Sequence, residues 1–264
     1  MIGSQAPALF RAAVRARSPL IGTFLNLGSP LAAEACAVAG FDWLLVDLEH
    51  GGRAEDATLG QLLAASAHGI PTLVRVETAE RIRAGRVLDL GVCGVMFPRL
   101  DTVEEVRTAI GHLRYPPAGD RGVATYNRAY AFGLAPERLE TAGDSIVAIV
   151  QIESVAALDA VEAIAATPDV DVLFVGPRDL SQALGIPGQF DDSRFQGALE
   201  RVARAAATTG IAAGILASSA EAAIRHAQSG FTFIGIGSDS TALALAGRTT
   251  VGRFRAVIPA PGAG

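Results

Sequence analysis

Short hydrophobic runs alternate with alanine-rich stretches of helical period along most of the chain. The runs contain few polar residues, and such continuity is typical of strands that are covered on both faces. We therefore predict eight buried strands, at Gly22–Leu27, Trp43–Leu48, Thr72–Val76, Gly94–Pro98, Ile146–Ile152, Val172–Val175, Ile211–Leu216 and Phe231–Gly235.

Between these strands the apolar residues recur at helical spacing, and a glycine often follows the last periodic residue. The predicted helices are Leu31–Ala39, Leu59–His68, Arg81–Leu90, Val103–Leu113, Val155–Ala165, Arg194–Thr208, Ala220–Gln228 and Ser240–Phe254. Eight repeats of strand then helix in about 250 residues predict a (β/α)8 TIM barrel of the α/β class. An open, doubly wound sheet is the alternative, but no Gly-x-Gly-x-x-Gly follows the first strand.

The domain prediction is one barrel over residues 1–257, followed by a disordered tail at residues 258–264. The segment Tyr115–Gly143 interrupts the rhythm with prolines and glycines, and so long a connection inside a domain is often functional. Arg11, Arg15 and Arg17 are expected on a solvated helix face near the N-terminus.

The composition narrows the possible chemistry, because all 22 basic residues are arginine and the chain has no lysine. A Schiff-base enzyme needs an amine, which a guanidinium cannot replace since it stays protonated. Lysine-dependent aldolases, pyridoxal-phosphate enzymes and Walker-type nucleotide hydrolases are thereby excluded. The net charge of −5 disfavours nucleic-acid binding, and no apolar run is long enough to cross a membrane. We expect a cytoplasmic protein.

Polar and charged residues gather where consecutive predicted strands end. In a parallel barrel chemistry is confined to the carboxyl ends of the strands, and buried charge is costly unless it is paired or bound to a metal. The residues at these ends are Asp47, Glu49 and His50 after strand two, Arg75 at strand three, Arg99 at strand four, Gln151 and Glu153 at strand five, and Gly176, Pro177, Arg178 and Asp179 at strand six.

Several of these residues also have a simpler structural interpretation. Glu153 and Asp179 are interpreted as ligands of a divalent cation, although each could instead serve a helix N-terminus. His50 is interpreted as catalytic rather than as a core histidine, and Arg75 as more than an ion-pair partner. Glu49 either pairs with Arg75 or supports the site indirectly, and the sequence does not rank the two.

The pair of carboxylates on neighbouring strands suits a hard cation such as Mg²⁺ or Mn²⁺, with Co²⁺ or Zn²⁺ as further options. A closed structural zinc site is disfavoured, because it would draw on thiolates or several imidazoles. Two protein ligands leave most of an octahedral shell open to substrate and water, as in a catalytic site.

With these residues the chain resembles the HpcH/HpaI aldolase family of metal-dependent pyruvate aldolases, over about residues 20–250. The motifs that carry the resemblance are Ala39-Gly40-Phe41-Asp42-Trp43, Asp47-Leu48-Glu49-His50, Val74-Arg75, Tyr115-Pro116-Pro117-Ala118-Gly119, Arg121-Gly122-Val123, Gln151-Ile152-Glu153 and Gly176-Pro177-Arg178-Asp179-Leu180-Ser181. The resemblance implies cleavage of 4-hydroxy-2-oxo acids to pyruvate, or another 2-oxo acid, and an aldehyde. The intermediate it implies is a metal-stabilised enolate.

The resemblance also assigns roles to the catalytic residues. Glu153 and Asp179 would hold the cation that the pyruvate carboxylate and keto oxygens chelate. His50 would act as the base, through or beside a metal-bound water, with Asp47 orienting it. Arg75 would stabilise the enolate. The substrate carboxylate would be held by Gln151 and by the backbone at Gly176, Pro177 and Arg178.

Asp89, which sequence alone places on a helix surface, matches a family aspartate that raises the basicity of the histidine. The resemblance further implies a homo-oligomer, a hexamer or trimer of dimers, whose last helix packs on a neighbouring subunit.

The sequence departs from the family pattern at Phe24, Leu48, Arg99 and Arg178, so the identity of the aldehyde substrate stays open. We expect polar groups near the mouth of the barrel to recognise it, namely Arg99, Arg121, Tyr126 and Arg128. Two other functions remain open: a citryl- or malyl-CoA-type lyase on the same barrel, and a non-catalytic barrel that binds a keto acid.

Overall fold

A computed structural model of the chain describes residues 6–52 and 55–258, without the side chains of Ala6 and Glu55. Its strands are β1 Leu20–Leu25, β2 Trp43–Asp47, β3 Thr72–Arg75, β4 Gly94–Phe97, β5 Val147–Ile152, β6 Val172–Val175, β7 Ala212–Ala217 and β8 Phe233–Ser238. All pair in parallel and in chain order, and β8 closes the sheet against β1. The predicted (β/α)8 barrel is confirmed. The expected tail lies outside the described residues except for Ile258.

The helices are α1 Ala6–Arg15, α2 Pro30–Val38, α3 Glu55–Ala67, α4 Arg81–Asp89, α5 Val103–Gly111, α6 Val155–Asp159, α7 Val161–Ala165, α8 Pro177–Ala183, α9 Ser193–Thr209, α10 Ala220–Gln228 and α11 Asp239–Arg255. Of these, α8 was not predicted, because its seven residues are too few for a periodic apolar stripe. The N-terminal helix that was expected to carry Arg11 and Arg15, without stated bounds, is α1. The predicted helix Val155–Ala165 is divided at Ala160 into α6 and α7.

The interior of the barrel is filled by aromatic side chains. Trp43 stacks on Phe233, with ring centroids 4.4 Å apart and planes within 5°. A β-carbon at Gly22 would overlap the Trp43 indole, so this position of β1 requires glycine. Phe174 contacts Phe233 edge to face and lies beside Phe24. Because this interior is apolar and full, polar chemistry is confined to the rims of the barrel.

The first helix closes the amino-terminal end of the barrel. Phe10 and Val14 of α1 pack into the interior aromatic cluster. Arg11 is only 4% exposed and its Nε lies 3.0 Å from Asp171, the residue before β6. Arg15 also reaches Asp171, at 2.7 Å. The expectation of a solvated arginine face is therefore wrong for Arg11, because α1 packs across the strands instead of lying in solvent.

The segment between α5 and β5 lies at this same end of the barrel. In a (β/α)8 fold the helices run antiparallel to the strands, so a connection from a helix to the next strand joins amino-terminal ends. Within it are three short 3₁₀ turns, Arg128–Gly133, Pro136–Leu139 and Ala142–Ser145. The backbone carbonyl of Gly143 accepts a hydrogen bond from Arg11 Nη1 at 2.9 Å, which joins this segment to α1.

The last helix stands apart from the rest of the barrel. Residues 241–258 are all exposed, and they include Leu243 at 68%, Phe254 at 56% and Val257 at 78%. Of the residues in α11, which the structure describes in full, only Asp239 is buried. Within residues 6–52 and 55–258, no helix combines the length and hydrophobicity that crossing a bilayer would require.

We expect Asp171→Ala to lower the free energy of unfolding by about 3–5 kcal/mol, since the buried Arg11 would keep only the partly exposed Asp169 as a carboxylate partner and the Ala148 N–H would lose its acceptor. Urea unfolding measures the change. The matched control is Glu162→Ala, which removes an exposed ion pair with Arg201 and is expected to cost less than about 1 kcal/mol. Equal losses in the two variants would show that Asp171 contributes no more than a surface charge.

Candidate active site

The carboxyl ends of β2 and β3 are joined by a buried ion pair. Asp47 and Arg75, the last residues of these strands, are partners in the strand register. Arg75 donates from Nε to Asp47 Oδ1 at 2.9 Å and from Nη2 to Oδ2 at 2.7 Å. Asp47 is 2% exposed and Arg75 is 9% exposed. Such a two-pronged contact fixes both the position and the plane of the guanidinium.

Asp47 also holds the turn that carries His50. Its Oδ1 accepts the backbone N–H groups of Glu49 at 3.2 Å and His50 at 3.3 Å. A β-carbon at Gly51 would overlap the Asp47 carbonyl, so the turn requires glycine there. The expectation was that Asp47 orients His50, and in this structure the contact runs through the backbone of the turn.

The side chains of this turn face the mouth of the barrel. Glu49 pairs with Arg75 at 3.0 Å, which supports the first of its two sequence interpretations. The imidazole of His50 is 64% exposed, and its Nε2 lies 3.9 Å from Glu49 Oε2. His50 is thus an accessible group beside a buried charged cluster and not a core histidine.

Glu153 lies one residue beyond β5 and points into the same mouth. Its Oε1 accepts the backbone N–H of Arg99 at 2.8 Å, and its Oε2 accepts the Gln151 side-chain amide. Arg99 has a left-handed backbone, with φ of 55°, at this point. Gln151 Oε1 accepts in turn from Arg75 Nη1 at 3.4 Å, so Gln151 connects Arg75 to Glu153. The N-cap of the following helix is Ser154, which leaves Glu153 free for the mouth.

The start of α8 forms the next wall of the mouth. Gly176 is the N-cap of α8 and Pro177 its first residue. A β-carbon at Gly176 would lie 3.0 Å from both Glu153 Oε2 and Gln151 Nε2, so only glycine leaves these side chains in place. Arg178 is exposed, with its guanidinium 5.7 Å from the centre of the Phe190 ring. Asp179 is an exposed residue in the first turn of α8, and its charge acts on Glu153.

The charges at the mouth are unbalanced. Arg75 is the buried cation facing the carboxylates of Asp47, Glu49 and Glu153. Burial, opposed by the Arg99 amide but reinforced by Asp179 and Glu49, raises the pKa of Glu153. Burial alone would raise the pKa of Asp47, but the hydrogen bonds and charge of Arg75 outweigh it and lower that pKa. An additional cation would relieve the repulsion among Glu153, Asp179 and Glu49.

The donor set at the mouth suits a divalent cation with open coordination positions. Glu153 and Asp179 offer carboxylate oxygens, the ligands that Mg²⁺ and Mn²⁺ prefer. No group of three or more His, Cys, Asp or Glu side chains arranged to enclose a metal occurs among the described residues. With Glu153 and Asp179 as ligands, the other coordination positions are left to substrate and water.

Three residues that were expected at the active site, Asp89, Arg121 and Arg128, lie at the amino-terminal end of the barrel within one chain. Asp89 is the last residue of α4, at the amino-terminal end of the barrel, and accepts from Arg121 Nη2 at 2.9 Å. Arg128 donates to the carbonyl of Leu90 at 2.6 Å. Within one chain, Asp89, Arg121 and Arg128 are therefore on the far side from His50. Arg99 is at the mouth, where its side chain is 78% exposed.

Two residues of the mouth were missed from sequence. Asn26 directly follows β1 and donates from Nδ2 to Asp47 Oδ2 at 3.0 Å. Asp239 opens α11 and accepts the backbone N–H of Asn26 at 2.8 Å. Their position after the first and last strands was the available signal, because those strands are neighbours in a closed barrel.

A closed parallel barrel that gathers carboxylates, an arginine and a histidine at the carboxyl ends of its strands is typical of (β/α)8 enzymes. The family model described as HpcH/HpaI aldolase/citrate lyase matches residues 20–246. The chain belongs to this family, and the resemblance inferred from its motifs is confirmed.

Named relatives cover nearly all of the chain. A hydroxypyruvate/pyruvate aldolase of Paraburkholderia phytofirmans is 43% identical over 84% of this chain and 87% of its own. A 5-keto-4-deoxy-D-glucarate aldolase of Salmonella paratyphi C is 39% identical over 88% of this chain and 91% of its own. The crystal structure of an HpcH/HpaI aldolase/citrate lyase family protein from Burkholderia cenocepacia superposes with a TM-score of 0.90 at 38% identity, covering 94% of this chain and 99% of that one.

Proposed function

We propose that this protein is a divalent-metal-dependent aldolase, a carbon–carbon lyase that joins pyruvate or a related 2-oxo acid to an aldehyde and cleaves the product. The observation that carries the proposal is the charged mouth, where the charges of Asp179 and Arg75 act on Glu153 and where the accessible His50 lies beside Glu49. The absence of lysine supports it, because an aldolase without an amine must stabilise the enolate electrostatically. The aldolases at 43% and 39% identity support the same reaction class.

The costly species in this reaction is the enolate, and the site is organised around its charge. In cleavage the 4-hydroxyl loses its proton, the C3–C4 bond breaks, and the bonding electrons remain on the pyruvate fragment as the enolate. A divalent cation, which Glu153 and Asp179 would hold, supplies Lewis-acid stabilisation of several kcal/mol when bound. Arg75 places a fixed positive charge beside the enolate oxygen, and Asp47 keeps the guanidinium in its plane.

The remaining residues bind the substrate and move the proton. His50 takes the proton of the 4-hydroxyl in cleavage and returns it in synthesis. Gln151 and the backbone at Gly176, Pro177 and Arg178 orient the substrate carboxylate. The exposed Arg99 and Arg178 would meet the aldehyde. The same two arginines support a citryl- or malyl-CoA-type lyase as the second candidate, because positively charged side chains at the mouth could bind the phosphates of CoA.

We further propose a homo-oligomer, a hexamer or trimer of dimers, in which α11 packs on a neighbouring subunit. The exposed apolar side chains of α11, including Leu243, Phe254 and Val257, support this arrangement. A neighbouring subunit also offers a role for Asp89. Since Asp89 lies at the opposite end of the barrel from His50 of its own chain, it would support the active site of a neighbouring subunit.

The enolisation half-reaction tests the metal and the keto-acid site together. We expect pyruvate methyl protons to exchange with deuterium in the presence of Mn²⁺ and to stop exchanging on chelation, as followed by NMR. Glu153→Gln and Asp179→Asn should each lower the rate by at least about 100-fold, since each removes a charge that holds the cation. Glu77→Gln, which alters an acidic residue shortly after β3, serves as the control. Exchange that survives both chelator and substitution would reject the metal-dependent mechanism.

We expect His50→Ala to slow aldol cleavage by roughly 10²–10⁴-fold, because the base that takes the 4-hydroxyl proton is lost. Calorimetry with Mn²⁺ and pyruvate should show almost unchanged affinities, since His50 is exposed outside the buried cluster. His68→Ala, at a histidine that pairs with Glu34 on the surface, is the matched control. Undiminished cleavage in His50→Ala would remove this residue from the mechanism.

Subunit mixing tests the role of Asp89. We expect inactive His50→Ala and Asp89→Ala oligomers to regain cleavage when dissociated and reassembled together, with roughly one site in four intact by random pairing. Arg121→Ala, which breaks the same ion pair but keeps the carboxylate, should retain most of the activity. No recovery on mixing, or an Arg121→Ala loss as large as that of Asp89→Ala, would contradict a role shared between subunits.

A further inference from the structure

Asn26 contacts both ends of the turn that carries His50. At the start of the turn its side-chain amide donates to Asp47 Oδ2 at 3.0 Å. At the end of the turn its backbone carbonyl accepts the N–H of Gly52 at 3.1 Å. His50 lies between these two contacts. Asn26 is therefore the residue of β1's carboxyl end that sets where the turn leaves β2 and where it returns.

The oxygen that Asn26 contacts is one of the two that hold Arg75. Asp47 Oδ2 receives Arg75 Nη2 at 2.7 Å together with the Asn26 amide. Without Asn26, Asp47 Oδ2 would keep Arg75 as its one partner, and the carboxylate and the guanidinium could turn together about the bond to Cβ. The plane of the Arg75 guanidinium would follow, because both of its contacts with Asp47 share that carboxylate.

Asp239 holds the backbone of Asn26 in turn. Its carboxylate accepts the N–H groups of Asn26 at 2.8 Å and Leu27 at 3.3 Å. It also accepts its own helix's Ser240 N–H at 2.7 Å. Asp239 is 7% exposed, in a helix whose other residues are not buried. The buried Asp239 carboxylate therefore fixes the backbone just after β1 and does not pack α11 against the barrel.

We propose that Asn26 is a positioning residue that, held by Asp239, fixes the Asp47 carboxylate and so aligns Arg75 and the His50 turn for the aldol reaction. This role rests on the proposed function, since it concerns the enolate-stabilising guanidinium. Asn26 acts through Asp47 and need not touch the substrate. The arrangement also connects the first residue of the exposed helix α11 to the reacting groups through two hydrogen-bonded side chains.

Steady-state kinetics distinguish a positioning role of the Asn26 amide from a role in which the side chain only fills space. We expect Asn26→Ala to lower kcat for cleavage about tenfold or more, the effect of losing a hydrogen bond to a charged group, with KM changed less than about threefold. Asn26→Asp keeps the shape but replaces the donor by a negative charge, so kcat should fall at least as far. Asp239→Ala should also lower kcat, because it removes the acceptor of the Asn26 N–H. If Asn26→Asp retains wild-type kcat, Asn26 only fills space and the proposal is wrong.

The control is Asp42→Ala at the opposite end of β1. Asp42 also accepts a backbone N–H of this strand, that of Ile21 at 2.8 Å, but it is far from the mouth. We expect a similar change in melting temperature and a kcat within about twofold of the wild type. If the Asn26 variants lose no more kcat than this control, the effect is structural and the positioning role is rejected.

Hydrogen exchange followed by mass spectrometry decides the question without any assay of activity. We expect Asn26→Ala and Asp239→Ala to speed amide exchange in a peptide spanning residues 48–52 by roughly tenfold, and Asp42→Ala to leave it unchanged. Unchanged exchange in the Asn26 variant would overturn the proposal. A wild-type protein that neither enolises pyruvate nor cleaves 4-hydroxy-2-oxo acids would instead refute the proposed function, and the exchange result would still decide whether Asn26 positions the turn.

Discussion

The ion pair between Asp47 and Arg75 is the interaction on which the mouth of this barrel depends. Each partner is buried, so either charge alone would be costly, and the two-pronged contact makes them acceptable together. The pair exists because β2 and β3 are in a register that sets Asp47 opposite Arg75. A shift of one residue would turn one of these side chains away from the interior. The His50 turn, Gln151 and, through Gln151, Glu153 are all attached to this pair.

The two ends of the barrel differ in how their charges are balanced. At the amino-terminal end, α1 closes the aromatic interior and its buried Arg11 is neutralised by Asp171, an arrangement that stabilises the fold. At the carboxyl end the negative charges exceed the positive ones, and Glu153 has its pKa raised by burial and by its acidic neighbours. Such an imbalance reduces stability unless a cation binds.

The sequence shows polar and charged residues where buried strands end. This pattern predicts Asp47, Arg75, Gln151 and Glu153 as candidate site residues. A buried strand that ends in a charge breaks its own hydrophobic pattern, and that break is a local signal. Arg11 gave no such signal, because an arginine on a helix looks the same whether it meets solvent or Asp171. Asn26 and Asp239 follow β1 and β8, but the contact between them joins residues that are 213 positions apart in the chain and that no local pattern relates.

The sequence by itself determined the barrel, since the alternation of buried strands and amphipathic helices is a local property of the chain. It also excluded amine chemistry, because a missing lysine cannot be supplied by folding. Only the tertiary structure decided which charges meet. It placed Asp89 with Arg121 at the end away from His50, and it drew Asn26 and Glu49 into the mouth. Contacts of this kind depend on strand register and barrel closure, which join residues that no local pattern relates.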